Sequence, residues 1–229
     1  MLNEICNVWN VQFEQLEVRY DDRLKALFFT MQPSPLPSFT PRLLEDLRRF
    51  QLLARQFLAE DARRDDRQVE YLVFASDIPR IFQLGGDLKF FLDCIEANDR
   101  ETLSNYAHLS IDVLYDNFIN LGQNVATIAL VEGSALGAGF ESALSCDYIV
   151  AERDAEFQFP ETVFNMFPGM GAYSFLSRRV GPAFVEQMIK SGRSYKASEL
   201  EQQGLIDRLA EPGDARTALE TFIVKHRRN

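Results

Sequence analysis

Histidine is almost missing from this chain: His108 and His226 are the only two in 229 residues, and the second lies in the charged tail Lys225-His-Arg-Arg-Asn229. A Ser–His–Asp triad or a His-rich metal site therefore has almost no raw material, and no metal or cofactor is expected. Cysteine is scarce as well. Cys6, Cys94 and Cys146 stand far apart with no C-x-x-C spacing, which argues against a disulfide framework and a zinc site and leaves the thiols reduced. No run approaches the ~20 apolar residues of a membrane-spanning helix. The opening Met1-Leu-Asn-Glu-Ile has no basic segment followed by an apolar one, so no export signal is read and a cytoplasmic location is expected. Positive charge is also in deficit. With 24 Lys and Arg against 34 Asp and Glu, a broad footprint on phosphate backbones is opposed, and neither nucleic acid nor membrane is an expected partner.

What remains is the composition of a globular protein, 46% hydrophobic and 25% charged, long enough to bury a sizeable core. Residues 1–212 read as one core domain and 213–229 as a short C-terminal helical tail. Leu24-Lys-Ala-Leu-Phe-Phe-Thr-Met31 closes a hairpin that starts near Phe13, and Pro33, Pro35 and Pro37 break it. Thr40 before Pro41 is a helix cap with proline at the first helical position. Leu43, Leu44, Leu47, Phe50, Ala54, Phe57 and Leu58 then recur at helical spacing. Val69–Ala75, Ala126–Val131 and Tyr148–Ala151 are short apolar runs suited to buried strands. Between the first two, residues 87–120 read as one long helical stretch; shorter helices are expected at 172–179, 182–190 and from 197. Strands alternating with helices predict an α/β fold with mostly parallel sheets covered by helices.

Three glycine-bearing turns stand where a strand gives way to a helix: Phe82-Gln-Leu-Gly-Gly-Asp-Leu88, Glu132-Gly-Ser-Ala-Leu-Gly-Ala-Gly-Phe-Glu141, and Phe159-Pro-Glu161 through Phe167-Pro-Gly-Met-Gly171. Such turns aim backbone N–H groups at an anion. Gly137-Ala-Gly139 is not a dinucleotide fingerprint, because Ser142 stands where the last glycine belongs. Glu141 and Glu161 each sit among small or apolar neighbours, where desolvation raises a carboxyl pKa toward the range of a general acid or base. From the residues alone, Glu141 equally well complements a helix N-terminus and Glu161 is a loop residue.

These segments, with Cys146-Asp147 and Gly204-Leu-Ile-Asp207, occur in an order that resembles the crotonase (enoyl-CoA hydratase/isomerase) superfamily over roughly residues 15–212. The resemblance implies a spiral of ββα units, trimers or dimers of trimers, and acyl thioesters of coenzyme A or acyl carrier protein as substrates. It implies an oxyanion hole from the backbone N–H groups of Leu84 and Ala138, acid–base roles for Glu141 and Glu161, and substrate contacts at Gly85, Gly137, Gly169 and Met170. The wording Phe-x-x-Gly-Gly-Asp-Leu at 82–88, Glu-Gly-Ser-Ala-Leu-Gly-x-Gly-Phe-Glu at 132–141 and Phe-Pro-Gly-Met-Gly-Ala-Tyr-Ser at 167–174 is similar to the diffusible-signal-factor synthase branch. That branch dehydrates a 3-hydroxyacyl carrier-protein thioester and then hydrolyses the product. An ordinary enoyl-CoA hydratase or isomerase, or a non-catalytic acyl-thioester-binding member, is the alternative. The family continues past Gly-Leu-Ile-Asp with a further helical domain, so a truncated C-terminal domain is expected here.

Other candidates read as structural. Phe90, Phe91, Leu92, Ile95, Tyr115 and Phe118 suit core packing more than an acyl tunnel. His108 reads as a surface residue, Cys146 as a small buried hydrophobe and Asp87 as a helix cap. Arg178, Arg179 and Lys190 are expected to gather as a basic patch for an acidic carrier protein.

Overall fold

The structure is a computed structural model that describes residues 8–227. Strands β1 (Leu16–Asp21) and β2 (Ala26–Met31) form the expected antiparallel hairpin. From β2 the sheet continues in parallel through β3 (Tyr71–Ser76), β5 (Ala126–Val131), β7 (Tyr148–Glu152) and β10 (Arg208–Ala210). Strand β3 shows why its run is continuously apolar: Leu72 and Phe74 enter one core, while Tyr71, Val73 and Ala75 enter the other. A strand covered on both faces has no polar side to display. Helix α1 (Pro41–Asp61) covers one face, starting where Thr40 accepts the Leu43 N–H at 3.0 Å. Helix α8 (Ala215–His226) covers the other, burying Ala215, Ala218, Leu219 and Ile223.

A second sheet holds β4 (Ile81–Gln83), β6 (Ser134–Leu136), β8 (Glu156–Gln158) and, antiparallel at one edge, β9 (Tyr195–Lys196). Each of β4, β6 and β8 follows a strand of the first sheet, so the chain winds as repeated ββα turns. The three are parallel neighbours, with Gln83 opposite Ala135 and Ala135 opposite Phe157. Their C-terminal ends therefore share one edge, and the three glycine- and glutamate-bearing segments all leave from it.

The stretch 87–120 differs from the single helix expected. It forms α2 (Leu88–Glu96) and α3 (Arg100–Phe118), broken where Asn98 takes φ +54° and Asp99 recaps the chain by accepting the Thr102 N–H at 3.0 Å. Asparagine tolerates the left-handed region and aspartate favours caps, so the break has a local cause. Phe90 and Phe91 pack on Tyr106 and Phe118 on Phe175, but Leu92, Ile95 and Tyr115 are exposed, which corrects the core-packing expectation for those three. The remaining helices are α4 (Ala138–Leu144), α5 (Ala172–Leu176), α6 (Pro182–Ser191) and α7 (Ala197–Gln202). Among the described residues, no helix is long and apolar enough to cross a membrane, and no cluster of His, Cys, Asp or Glu could hold a metal ion.

Candidate active site

The turn after β6 is built on Gly137. Its φ of +53° favours glycine, and its N–H continues the sheet by donating to the Gln158 carbonyl at 2.8 Å. A Cβ on Gly137 would collide with Oε1 of Glu161, so the Glu161 carboxyl lies directly against this turn. The next residue, Ala138, opens α4, and its N–H has no acceptor among the described residues. The turn after β4 meets it: a Cβ on Gly85, whose φ is +98°, would stand 3.0 Å from the Leu136 carbonyl oxygen and 3.4 Å from the Ala138 nitrogen. Glycine at 85 and 137 is thus required by both backbone conformation and close approach.

Every residue of α4 is buried. Glu141, 1% exposed, faces the third glycine segment, and its Oε1 accepts the Met170 N–H at 2.7 Å and the Ala172 N–H at 2.9 Å. Burial raises this carboxyl to about 7; the Glu161 charge adds to the rise, and the amides of Ala172, Met170 and Gly171 oppose it. Burial also raises Glu161 above its ordinary range, and Glu161 Oε2 is buried with no hydrogen-bond partner among the described residues. The Glu161 charge thus disfavours ionisation of Glu141, and burial disfavours ionisation of both carboxyls. Met170 reaches the site through its backbone, holding Glu141. Gly169 flanks it in open space, meeting only the Phe167 carbonyl at 3.9 Å from its would-be Cβ.

Leu84 departs from the expectation. Its N–H donates to the Pro37 carbonyl at 2.9 Å, so it is not an open oxyanion donor in this structure. The proline-rich segment before α1 lies along the β4 turn, where Phe39 also donates to the Gly85 carbonyl at 2.8 Å, and a nearby carbonyl captures the amide. Of the two donors read from the motifs, only Ala138 is open. The expected basic patch is not formed either. Arg179 donates to the carbonyls of Cys146 at 2.5 Å and Asp147 at 2.9 Å, which follow the end of α4; Lys190 pairs with Glu186 at 2.8 Å; Arg178 stacks on Phe118. Orphan carbonyls after a helix recruit the nearest guanidinium. Asp87 caps α2 by accepting the Phe90 N–H at 3.0 Å, His108 is exposed against the Ser104 carbonyl, and burial pushes the Cys146 thiol to about 12. All three are structural, as read from the sequence. Gln83 escaped the sequence reading, although a polar residue ending the apolar Ile-Phe run before Gly85 and Gly86 was a usable signal.

The Glu141 carboxyl makes stability depend on pH. Its folded value of about 7 lies above its ordinary 4.5, so between these values the native state binds more protons than the unfolded chain. Stability contributed below this window is lost as pH rises through it. Glu141→Gln keeps the acceptor for Met170 and Ala172 but cannot ionise. It is expected to match wild type near pH 4 and to exceed it above pH 7 by on the order of 3 kcal/mol. Urea denaturation at both pH values measures this, and a pH-independent difference rules it out.

The sequence model of the family described as enoyl-CoA hydratase/isomerase matches residues 51–217. Human mitochondrial methylglutaconyl-CoA hydratase is 34% identical over 160 residues, covering 69% of this chain and 45% of that protein. Among solved structures, DspI of Pseudomonas aeruginosa is similar with a TM-score of 0.74 and 26% identity over 95% of this chain and 82% of that one. An enoyl-CoA hydratase of Bacillus halodurans gives a TM-score of 0.81 at 19% identity over 94% and 81%, a likeness of fold. The chain spans about half the length of the curated relatives it matches. Its two-sheet spiral is the crotonase fold. The matched segment runs through all three turns that leave the second sheet, and on this ground the chain belongs to the enoyl-CoA hydratase/isomerase family.

Proposed function

We propose that this protein dehydrates a 3-hydroxyacyl thioester to a 2-enoyl thioester and hydrolyses the product to release an unsaturated fatty acid. The observation that supports this most is a fully buried carboxyl, Glu141, whose pKa is raised by burial and by the charge of the half-buried Glu161, beside an open backbone amide. In dehydration one carboxylate takes the C2 proton, and charge grows on the thioester oxygen, which accepts from the Ala138 N–H. The other carboxyl gives its proton to the C3 hydroxyl, the C3–O bond breaks and water leaves as C2=C3 forms. The pair ends with the one proton it began with. In hydrolysis the ionised carboxylate takes a proton from water as its oxygen adds to the thioester carbonyl, and the same amide receives the oxygen's charge; the C–S bond then breaks as the carbonyl re-forms, and the proton passes to the leaving thiolate, so that free acid and carrier thiol depart.

Leu88, Leu92, Val163, Phe164 and Phe167 follow closely on the site turns and are all exposed. An apolar surface of this kind favours an acyl chain as the part of the substrate that covers it. By the family resemblance the carrier is coenzyme A or acyl carrier protein, and the assembly is a trimer or dimer of trimers. Incubation with 3-hydroxyacyl thioesters of either carrier, followed by mass spectrometry, is expected to yield enoyl thioester and free unsaturated acid. Enoyl thioester without free acid assigns an ordinary hydratase; binding without conversion assigns a non-catalytic member.

A further inference from the structure

Strand β4 ends on a residue that core packing alone does not call for. Gln83 is wholly buried, yet it is a primary amide. Its Oε1 accepts the Gly85 N–H at 3.1 Å, whereas its Nε2, with two N–H donors, reaches among the described residues only the Sδ of Met31 at 3.9 Å. Thioether sulfur is a weak acceptor, and a buried amide with a poorly paired donor is unfavourable compared with an apolar side chain of the same length. The oxygen is the part that has a use. It folds the side chain over the turn of Gly85, whose backbone is packed against the Ala138 amide. The Gln83 carbonyl also lies against Gly139, where a Cβ would collide with it. Gln83 therefore touches both turns that meet at the open donor, while lying behind them rather than in the site.

We propose that Gln83 is a positioning residue for the oxyanion site: by holding the Gly85 N–H it fixes the Leu84–Gly85 peptide plane against the Ala138 amide, while Phe39 holds the following plane through the Gly85 carbonyl. The proposal rests on the acyl-thioester reading above. Without that acceptor, the Leu84–Gly85 peptide can tilt about a glycine held only at its carbonyl, and the thioester carbonyl is positioned less accurately. Misplacement of this kind acts on the chemical step rather than on binding.

Gln83→Met removes the oxygen at nearly constant length, and Gln83→Glu restores an acceptor oxygen. Gln83→Met is expected to melt at or above the wild-type temperature, to keep KM and to lose about 10- to 100-fold in kcat. Gln83→Glu is expected to recover part of that loss. A normal kcat in Gln83→Met, or a fall in kcat that tracks a fall in stability and is not rescued by Glu, overturns the proposal. A readout without turnover is the absorbance of a bound para-aminocinnamoyl thioester of coenzyme A, which moves to the red as hydrogen bonds draw charge onto its carbonyl oxygen. A red shift seen in wild type, lost in Gln83→Met and regained in Gln83→Glu supports the proposal. A shift kept in full by Gln83→Met overturns it and leaves the thioester reading standing, whereas no shift in wild type overturns both.

Discussion

Glu141→Gln and Glu161→Gln are each expected to fold, to bind acyl thioester and to lose turnover by ~10²–10⁴-fold, the usual worth of general acid–base catalysis. Glutamine preserves the shape that fits against Gly137 and the acceptor held by Met170 and Ala172, but it cannot exchange a proton. If the two carboxyls act as one unit, as the proposed mechanism has it, the double variant is expected to lose little more than either single one. Wild-type kcat/KM should follow a bell-shaped pH profile whose upper limb lies near 7, where Glu141 loses its proton. Steady-state rates with a 3-hydroxyacyl thioester from pH 4 to 9 provide the measurement. Near-normal dehydration by either single variant sinks the acid–base assignment.

Ala138→Pro addresses the oxyanion donor. Proline is well tolerated at the first position of a helix, and Ala138 holds that position in α4. The preceding Gly137, at φ +53° and ψ −123°, has the mirror image of a polyproline conformation, which glycine can keep before proline. The substitution thus removes one N–H and sets a ring methylene where the thioester oxygen belongs, with the helix retained. Loss of a single oxyanion donor lowers kcat by about 10²–10³-fold, and that is the expected result, with circular dichroism and melting temperature near wild type. Unchanged kcat in a folded Ala138→Pro protein moves the oxyanion hole elsewhere, whereas an unfolded variant is checked by Ala138→Gly, which keeps the N–H and should keep activity.

Much of the framework is written in local signals. The Thr40–Pro41 cap, the apolar stripe of α1 and the continuous apolar runs of β3, β5 and β7 each report on their own segment, and the structure shows them as read. The break at Asn98 was legible in principle, since Asn-Asp carries both a left-handed tolerance and a cap, but helical periodicity on either side masked it. Strands β4, β6 and β8 span three residues each, too few for an alternating pattern to be told from chance. Yet those three strands carry the turns of the site side by side.

The two glutamates, the glycines that free their turns and the family motifs in order can all be read along the chain. Only in the folded chain does the Glu161 carboxyl rest on Gly137, do Met170 and Ala172 hold Glu141, and does Pro37 capture the Leu84 amide while Ala138 stays open. The physical reason is that conformational preference is a property of a residue and its immediate neighbours. The partner of an amide, and the pKa of a carboxyl, depend instead on which distant groups the fold brings within a few ångströms and how much water it excludes.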